Sequence, residues 1–297
     1  MNLNQLKIFY MAVKSGDLTR AANHLCISQP AVSKAIQRFQ NHYDVKLVEK
    51  RGKRLFPNEA GTHLYQVAED IFRLEKEAEH IINQFRADHQ KSLTIHTSET
   101  FADYYLSPAL NLFVKSFPKV KVRVDIMHNA DVLENTINSE NDIGIVSEIS
   151  KNAHVQVIDS FSDELVLIVP PDHRIADKEQ IGPKDLENEF IIMHEKGSVP
   201  HKIVSEYIET NRINLKPGPE LSSNRAIKQA VLDKIGISII SKLSAKEEVK
   251  LKTLCAIPFA DGGLKRAFQI IKPPGALITK PMKRLVSILD EIRLKET

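Results

Sequence analysis

Residues 18–39, LTRAANHLCISQPAVSKAIQRF, constrain the fold more than any other stretch, because they read as two short helices joined by a tight turn. Leu18, Ala21, Ala22 and Leu25 recur at helical spacing and form one apolar face, with Asn23 and His24 opposite. Cys26-Ile27 breaks the pattern. Ser28 is placed to cap the next helix, with Pro30 just inside it. That second helix buries Ala31 or Val32, Ala35 or Ile36, and Phe39. It turns Gln29, Ser33, Lys34, Gln37 and Arg38 outward, with no carboxylate among them. Long hydrogen-bonding and cationic side chains on an exposed helix suit the DNA major groove. The small Ala21-Ala22 pair permits the close helix crossing of a helix-turn-helix. An ordinary helical hairpin with a solvated basic face is the alternative.

Charge distribution favours the first reading. The 297-residue chain has a net charge of only +3. Ten of its 41 Lys/Arg but three of its 38 Asp/Glu lie in residues 1–58, a local +7, which leaves −4 on the rest. A basic head on a mildly acidic body is the footprint of a polyanion-binding module joined to something else. The length accommodates about two domains. Cys26 and Cys255 are far apart and belong to no C-x-x-C, so both are expected to be buried small apolar residues. The N-terminus has no long apolar run and no stretch has the length of a membrane span, which points to the cytoplasm.

Leu3, Leu6, Phe9 or Tyr10, and Val13 predict a helix over 3–14 that completes a three-helix core. After Phe39, Val45, Leu47 and Val48, a turn at Arg51-Gly52-Lys53 and a return through Leu55-Phe56 predict a two-stranded wing. Lys50, Arg51, Lys53 and Arg54 at its tip suit the minor groove or its phosphates; a solvated basic turn is the alternative. Residues 58–88 are strongly periodic: Leu64, Val67, Ile71, Leu74, Ala78, Ile81 and Phe85 follow a 3-4 spacing with charged flanks, and Asn58 is placed to cap them. Such a seam wants a partner helix, and a symmetric one sets two heads side by side. A helix packed on its own domain is the alternative.

From Lys91 onward strands alternate with helices: SLTIHTS, VKVRVDIM, DIGIVS, ELVLIV, EFIIMH, GISIIS and LKRAFQIIKP are strand-like, and a last amphipathic helix covers 280–294. Pro108 falls in a first or broken helical turn. This pattern predicts two α/β units with a parallel-rich sheet.

The head then resembles the winged helix-turn-helix of LysR-type transcriptional regulators, through Arg20-Ala21-Ala22, Leu25, Ser28-Gln29-Pro30-Ala31-Val32-Ser33, Ile36, Leu47 and Glu59-Ala60-Gly61. ELVLIVPPDH, Lys196-Gly197-Ser198, SSNRAIKQAV and Gly236-Ile237 extend the resemblance over the full length. Lys34, Val48 and Val199-Pro200-His201 depart from the residues common in that family. The resemblance implies an α/β protein with an all-α-type head. It implies a winged helix-turn-helix in 1–58, a dimerisation linker helix in 59–90 and a two-lobed, periplasmic-binding-protein-like effector domain in 91–297. Lobe one is 91–161 with 268–297, and lobe two is 162–267. It also implies a homodimer assembling to a homotetramer, contact with double-stranded DNA and with RNA polymerase, and a small effector between the lobes.

On that frame Thr19, Arg20, Ser28, Gln29, Pro30, Ser33, Lys34, Arg38, Arg51, Lys53 and Arg54 are the expected DNA contacts. Ser98, Thr100, Ser198, His201, Ser222 and Asn224 are expected to line a site for a small anionic metabolite, although helix capping explains each taken singly. Neither a metal nor a cofactor is implied. No G-x-S-x-G, phosphate-binding glycine loop or H-E-x-x-H occurs, which argues against an enzyme. An architectural DNA-binding protein without an effector, or an enzyme or solute-binding module on the same two-lobed fold, are the other readings.

Overall fold

The computed structural model describes residues 1–52, 54–85, 92–151, 153–260 and 262–296. The chain forms two compact units, Met1–Glu79 and His80–Thr297.

The first unit contains α1 (Leu3–Ser15), α2 (Leu18–His24), α3 (Gln29–Tyr43), β1 (Val48–Arg51), β2 (Arg54–Pro57) and most of α4 (Glu59–Gln84). Gly16, at φ 62°, ends α1, and the Asp17 carboxylate accepts from the Thr19 and Arg20 amides to start α2. Those amide contacts, the Arg20 one foremost, hold the Asp17 carboxyl below its usual range. Val32, Ile36 and Phe39 are the residues α3 buries, which settles the two alternatives left by periodicity. Ala21, Ala22, Ala12 and Leu55 pack with the first two of them, and Leu6, Phe9, Leu47, Ala68 and Phe72 with the third. Cys26 corrects an expectation. It is exposed, at φ 54°, because the turn needs a left-handed residue there that points away from both helices. Cys255 is half-buried.

Asn58 caps α4 by accepting from the Gly61 amide at 2.9 Å. The helix buries Ala68 and Phe72 against its own head, and Leu64 and Ile71 pack partly on the same core. Val67, Leu74, Ala78 and Phe85 remain exposed, and Ile81 is half-buried. The helix thus has two apolar stripes where periodicity suggested one. Its expected final turns, within 86–91, lie outside the described residues.

The second unit contains β3 (Ser92–Thr97), α5 (Glu99–Phe101), a π-helical stretch Ala102–Leu106, α6 (Ser107–Ser116), β4 (Lys121–Ile126), α7 (Asn129–Ile137), β5 (Ile143–Val146) and β6 (Gln156–Val169). It continues with β7 (Phe190–His194), α8 (Val199–Thr210), β8 (Lys216–Leu221), α9 (Asn224–Leu232), β9 (Ile237–Ser241), α10 (Lys246–Lys250), β10 (Cys255–Ile257), β11 (Leu264–Lys272) and α11 (Lys280–Glu296). Pro108 is the second residue of α6 and directly follows the π-helical stretch, so its missing N–H falls where the helical hydrogen-bond pattern is already broken.

The strands are ordered β4-β3-β5-β11-β6-β9-β7-β8, with β10 also on β6. β3 pairs parallel with β4 and β5, and β7 pairs parallel with β8 and β9. Between these parallel groups run β6 and β11, antiparallel from Gln156↔Lys272 to Leu165↔Leu264. Leu165, Leu167 and Val169 enter one core and Val166 and Ile168 another, so LVLIV is apolar throughout because both faces are covered. A third core joins Leu93, Ile95, Phe161 and Phe268 to Phe113 of α6 and Leu285 of α11. No described helix is long and apolar enough to cross a membrane.

Candidate DNA-binding face and ligand cleft

In the head, backbone bonds fix the wing. Gln40 on α3 accepts from the Leu47 and Val48 amides at 2.7 and 3.2 Å, and the Leu55 amide donates to the Gly16 carbonyl at 2.9 Å. These bonds hold the hairpin beside α3, two of them through the Gln40 side chain and the third through backbone groups alone. Ser28 caps α3 through the Ala31 amide at 3.4 Å. Thr19, Arg20, Ser28, Pro30, Lys34, Arg38, Arg51 and Arg54 are exposed, and Gln29 and Ser33 are half-buried. Lys34, Arg38 and Arg54 have no ion-pair partner among the described residues. Arg51 lies 3.6 Å from Glu49 and stacks over Phe56. Lys53 lies outside the described residues. Unpaired cations on one helix and the adjoining hairpin give a polyanion-binding surface whose rigid element is α3.

In the second unit a cleft of about 520 Å³ opens at the strand ends, with α5 and α7 on one side and α8 and α9 on the other. Ser98, Thr100, Ser198, Ser222 and Asn224 line it. His201 does not. Its amide donates to Ser198 Oγ at 3.2 Å and its ring faces Ser205, because the third position of α8 carries the side chain away from the opening. Spacing also gave no hint of Glu99, His128, Asn129, His194, Glu195 and Arg266, which line the same cleft.

Polar bonds cross the cleft. Asn224 Nδ2 donates to Thr100 Oγ1 at 3.1 Å, His128 lies 3.6 Å from Glu195, and Lys202 lies 2.5 Å from Glu148. Asn129 Oδ1 accepts from the Ser147 amide at 2.7 Å, which fixes the loop after β5. Ser98 Oγ is buried with no partner among the described residues, so a hydroxyl waits at the cleft wall. Arg266 is 7% exposed, and its Nε donates to Asp163 at 2.7 Å. Asp163 also accepts from Ser241 Oγ at 2.7 Å and Tyr105 Oη at 3.4 Å.

His194 is 8% exposed, and burial, with the Arg266 charge and then His201 second to it, pushes its imidazole down to about 4. Unfolded, it titrates near 6.5. As pH falls from that value toward 4 the unfolded chain takes up a proton that the folded chain refuses, so stability is lost on acidification. Between pH 7 and 5 this loss amounts to about 2 kcal/mol. Urea unfolding of the full chain at both pH values measures it, and His194→Gln removes that part of the dependence. An unchanged pH dependence in the variant would contradict the assignment.

The cleft offers hydroxyls, amides and a buried guanidinium to a small polar ligand. Among the described residues no group of three or more His, Cys, Asp or Glu could hold a metal ion. A rigid DNA-binding head joined to a ligand-binding α/β unit defines a ligand-responsive transcriptional regulator.

Sequence comparison places the chain within that class. The family described as LysR substrate binding domain matches residues 86–292, and that described as bacterial regulatory helix-turn-helix protein, lysR family, matches residues 3–62. The chain belongs to the LysR family of transcriptional regulators. It is 26% identical over 289 residues to the transcriptional regulator CysL of Bacillus subtilis, covering 97% of both chains. It is 28% identical over 242 residues to the transcriptional activator CmpR of Synechocystis, covering 82% of this chain and 79% of that one. Among solved structures, the Synechocystis CcmR regulatory domain in complex with 2-PG matches with TM-score 0.62 and 25% identity over 68% of this chain and 97% of that one. HinK of Pseudomonas aeruginosa has the same fold, with TM-score 0.61, 21% identity and 100% and 99% coverage.

Proposed function

We propose that the chain acts without catalysing a reaction, as a cytoplasmic dimer that pairs further into a tetramer and reads an inverted repeat. The head is residues 1–58 and the linker 59–90. The effector domain is 91–297, divided at 161/162 and 267/268, between strand partners Phe161↔Phe268 and Ser162↔Ala267. Gln29, Ser33, Lys34 and Arg38 face the major groove, Thr19 and Arg20 the phosphates, and Arg51, Lys53 and Arg54 the flanking backbone. Ser28 and Pro30 set the helix start. Leu64, Val67, Ile71, Leu74, Ala78, Ile81 and Phe85 form the seam between two linker helices, and the exposure of Val67, Leu74 and Phe85 supports this.

A small metabolite with an anionic group binds in the cleft, near Ser98, Thr100, Ser198, Ser222 and Asn224. It resets the spacing of paired heads and so contact with RNA polymerase. The observation that carries the reading is the coexistence of a free cationic α3–wing face and a donor-lined cleft in one chain.

Selection from a random DNA pool with the full chain tests the DNA half. The expected result is an inverted repeat with half-sites spaced by whole helical turns. On that site Arg54→Ala is expected to flatten the salt dependence of binding by about one unit of slope. A pool that stays random under tight, salt-sensitive binding would instead mean an architectural protein. A reporter driven by the recovered site tests the other half. Its response to growth conditions should vanish in Ser198→Trp, which fills the cleft, while the selected sequence stays the same. A persisting response would overturn the effector reading.

A further inference from the structure

The cleft already contains an anion of its own. Glu99 stands on the β3 side, and its carboxylate accepts from Ser223 Oγ, the Asn224 amide and Asn224 Nδ2, each at 3.2 Å. Ser223 and Asn224 open α9, a nine-residue helix whose first amides and positive end point at this spot. An anionic ligand group is the usual occupant of such a place, and Glu99 has taken it. Among the described residues, the one Lys or Arg of the cleft wall is Arg266, more than nine-tenths buried. Only its Nε is bound, to Asp163, and its Nη nitrogens have no partner among the described residues. The cleft wall thus sets Glu99 and Glu195 against one guanidinium.

We infer that Glu99 is a specificity-determining residue that fills the α9 end of the cleft, so that the effector brings one anionic group to Arg266 and meets Glu99 with a hydrogen-bond donor. The inference rests on the cleft being the effector site. A carboxylate has about four acceptor positions, and three are used here, which leaves room for one donor from a ligand. An amide, hydroxyl or ammonium fits that position. A second carboxylate does not, because two like charges would face each other at hydrogen-bonding distance.

The test uses the full-length chain, with formate, succinate and succinamate as probes. Glu99→Ala leaves a carboxylate-sized gap at the start of α9. Sodium formate is expected to raise the thermal midpoint of that variant saturably, beyond sodium chloride at equal ionic strength, and not to do so in the unaltered chain. Calorimetry is expected to show the unaltered chain preferring succinamate to succinate by about tenfold or more, with the preference lost in Glu99→Gln. An equal formate response in both chains overturns the resident-anion assignment. A preference of the unaltered chain for succinate overturns the single-anion rule. Should Glu99→Ala fail to fold, the succinamate-to-succinate ratio in Glu99→Gln decides alone, since glutamine keeps the shape and an acceptor. Chains that neither respond to formate nor separate the two acids also overturn the inference. None of these outcomes alters the reporter response, on which the effector reading itself depends.

Discussion

Replacing Arg266 with methionine is expected to destabilise the effector-binding unit by about 3–5 kcal/mol, among the largest single-residue effects in this chain. Arg266 and Asp163 stand opposite each other on β11 and β6, with side chains 4% and 1% exposed. The ion pair need not be strongly favourable overall, since both charges left water to form it. The asymmetry decides the outcome. Methionine fills much of the volume but leaves the Asp163 carboxylate buried, with only the Ser241 and Tyr105 hydroxyls to meet it. The Arg266 guanidinium also lies 4.4 Å from the Phe268 ring centre, a contact that is lost with it. Asp163→Asn in the same chain should restore much of the loss by removing the stranded charge. Urea unfolding of the two single variants and the double variant measures this. Additive losses would mean that the pair is not coupled.

The second large effect is expected at Gly61. An alanine inside a helix ordinarily gains about 1 kcal/mol over glycine. Here the added methyl would stand 1.9 Å from the Leu47 carbonyl oxygen and 3.2 Å from Pro57 Cβ. That carbonyl already accepts from the Asn58 amide at 3.0 Å, while the Asn58 side chain donates to the Lys46 carbonyl at 2.8 Å. Relieving the clash therefore breaks the junction that ties the first turn of α4 to the wing. The expected net loss is on the order of 3 kcal/mol, larger than the propensity gain and a large share of a small domain's stability. The first unit should melt several degrees lower, and DNA affinity should fall at temperatures where the effector-binding unit is intact. Alanine at 61 with an unchanged melting temperature would show that Leu47 moves freely.

The head was legible because its signals are local. Ser28, Pro30 and the Val32–Ile36–Phe39 stripe are all defined within a dozen residues, and so is the basic hairpin. The 3-4 apolar spacing of Leu64, Val67, Ile71, Leu74, Ala78, Ile81 and Phe85 was visible as well. The companion stripe through Ala68 and Phe72 was not, since a 26-residue helix can carry two apolar faces and spacing alone does not say which one its own head covers. Cys26 was misread because apolar character suggested burial, whereas the turn backbone decides its direction. In the cleft, serines and threonines at strand–helix junctions could be named from their position in the pattern. Glu99, His194 and Arg266 could not. Glu99 meets Asn224 from 125 positions away, and Arg266 meets Asp163 from 103, so only the sheet order brings them together. His201 was placed by loop position, and the helical turn after Ser198 carried it elsewhere.

The pairing of β6 with β11 has a consequence for how such regulators diversify. Ser162 and Ala267 are partners on one rung of that ladder, so the chain runs out toward β7, β8 and β9 and back again through two paired strands about 5 Å apart. Everything between them is a cassette whose two ends are already joined in space. An unrelated insert with matching ends could be grafted there without rerouting any other strand, and its own parallel strands would extend the sheet as β7, β8 and β9 do. A regulator built this way can exchange one wall of its ligand cleft while the DNA-reading head stays unchanged.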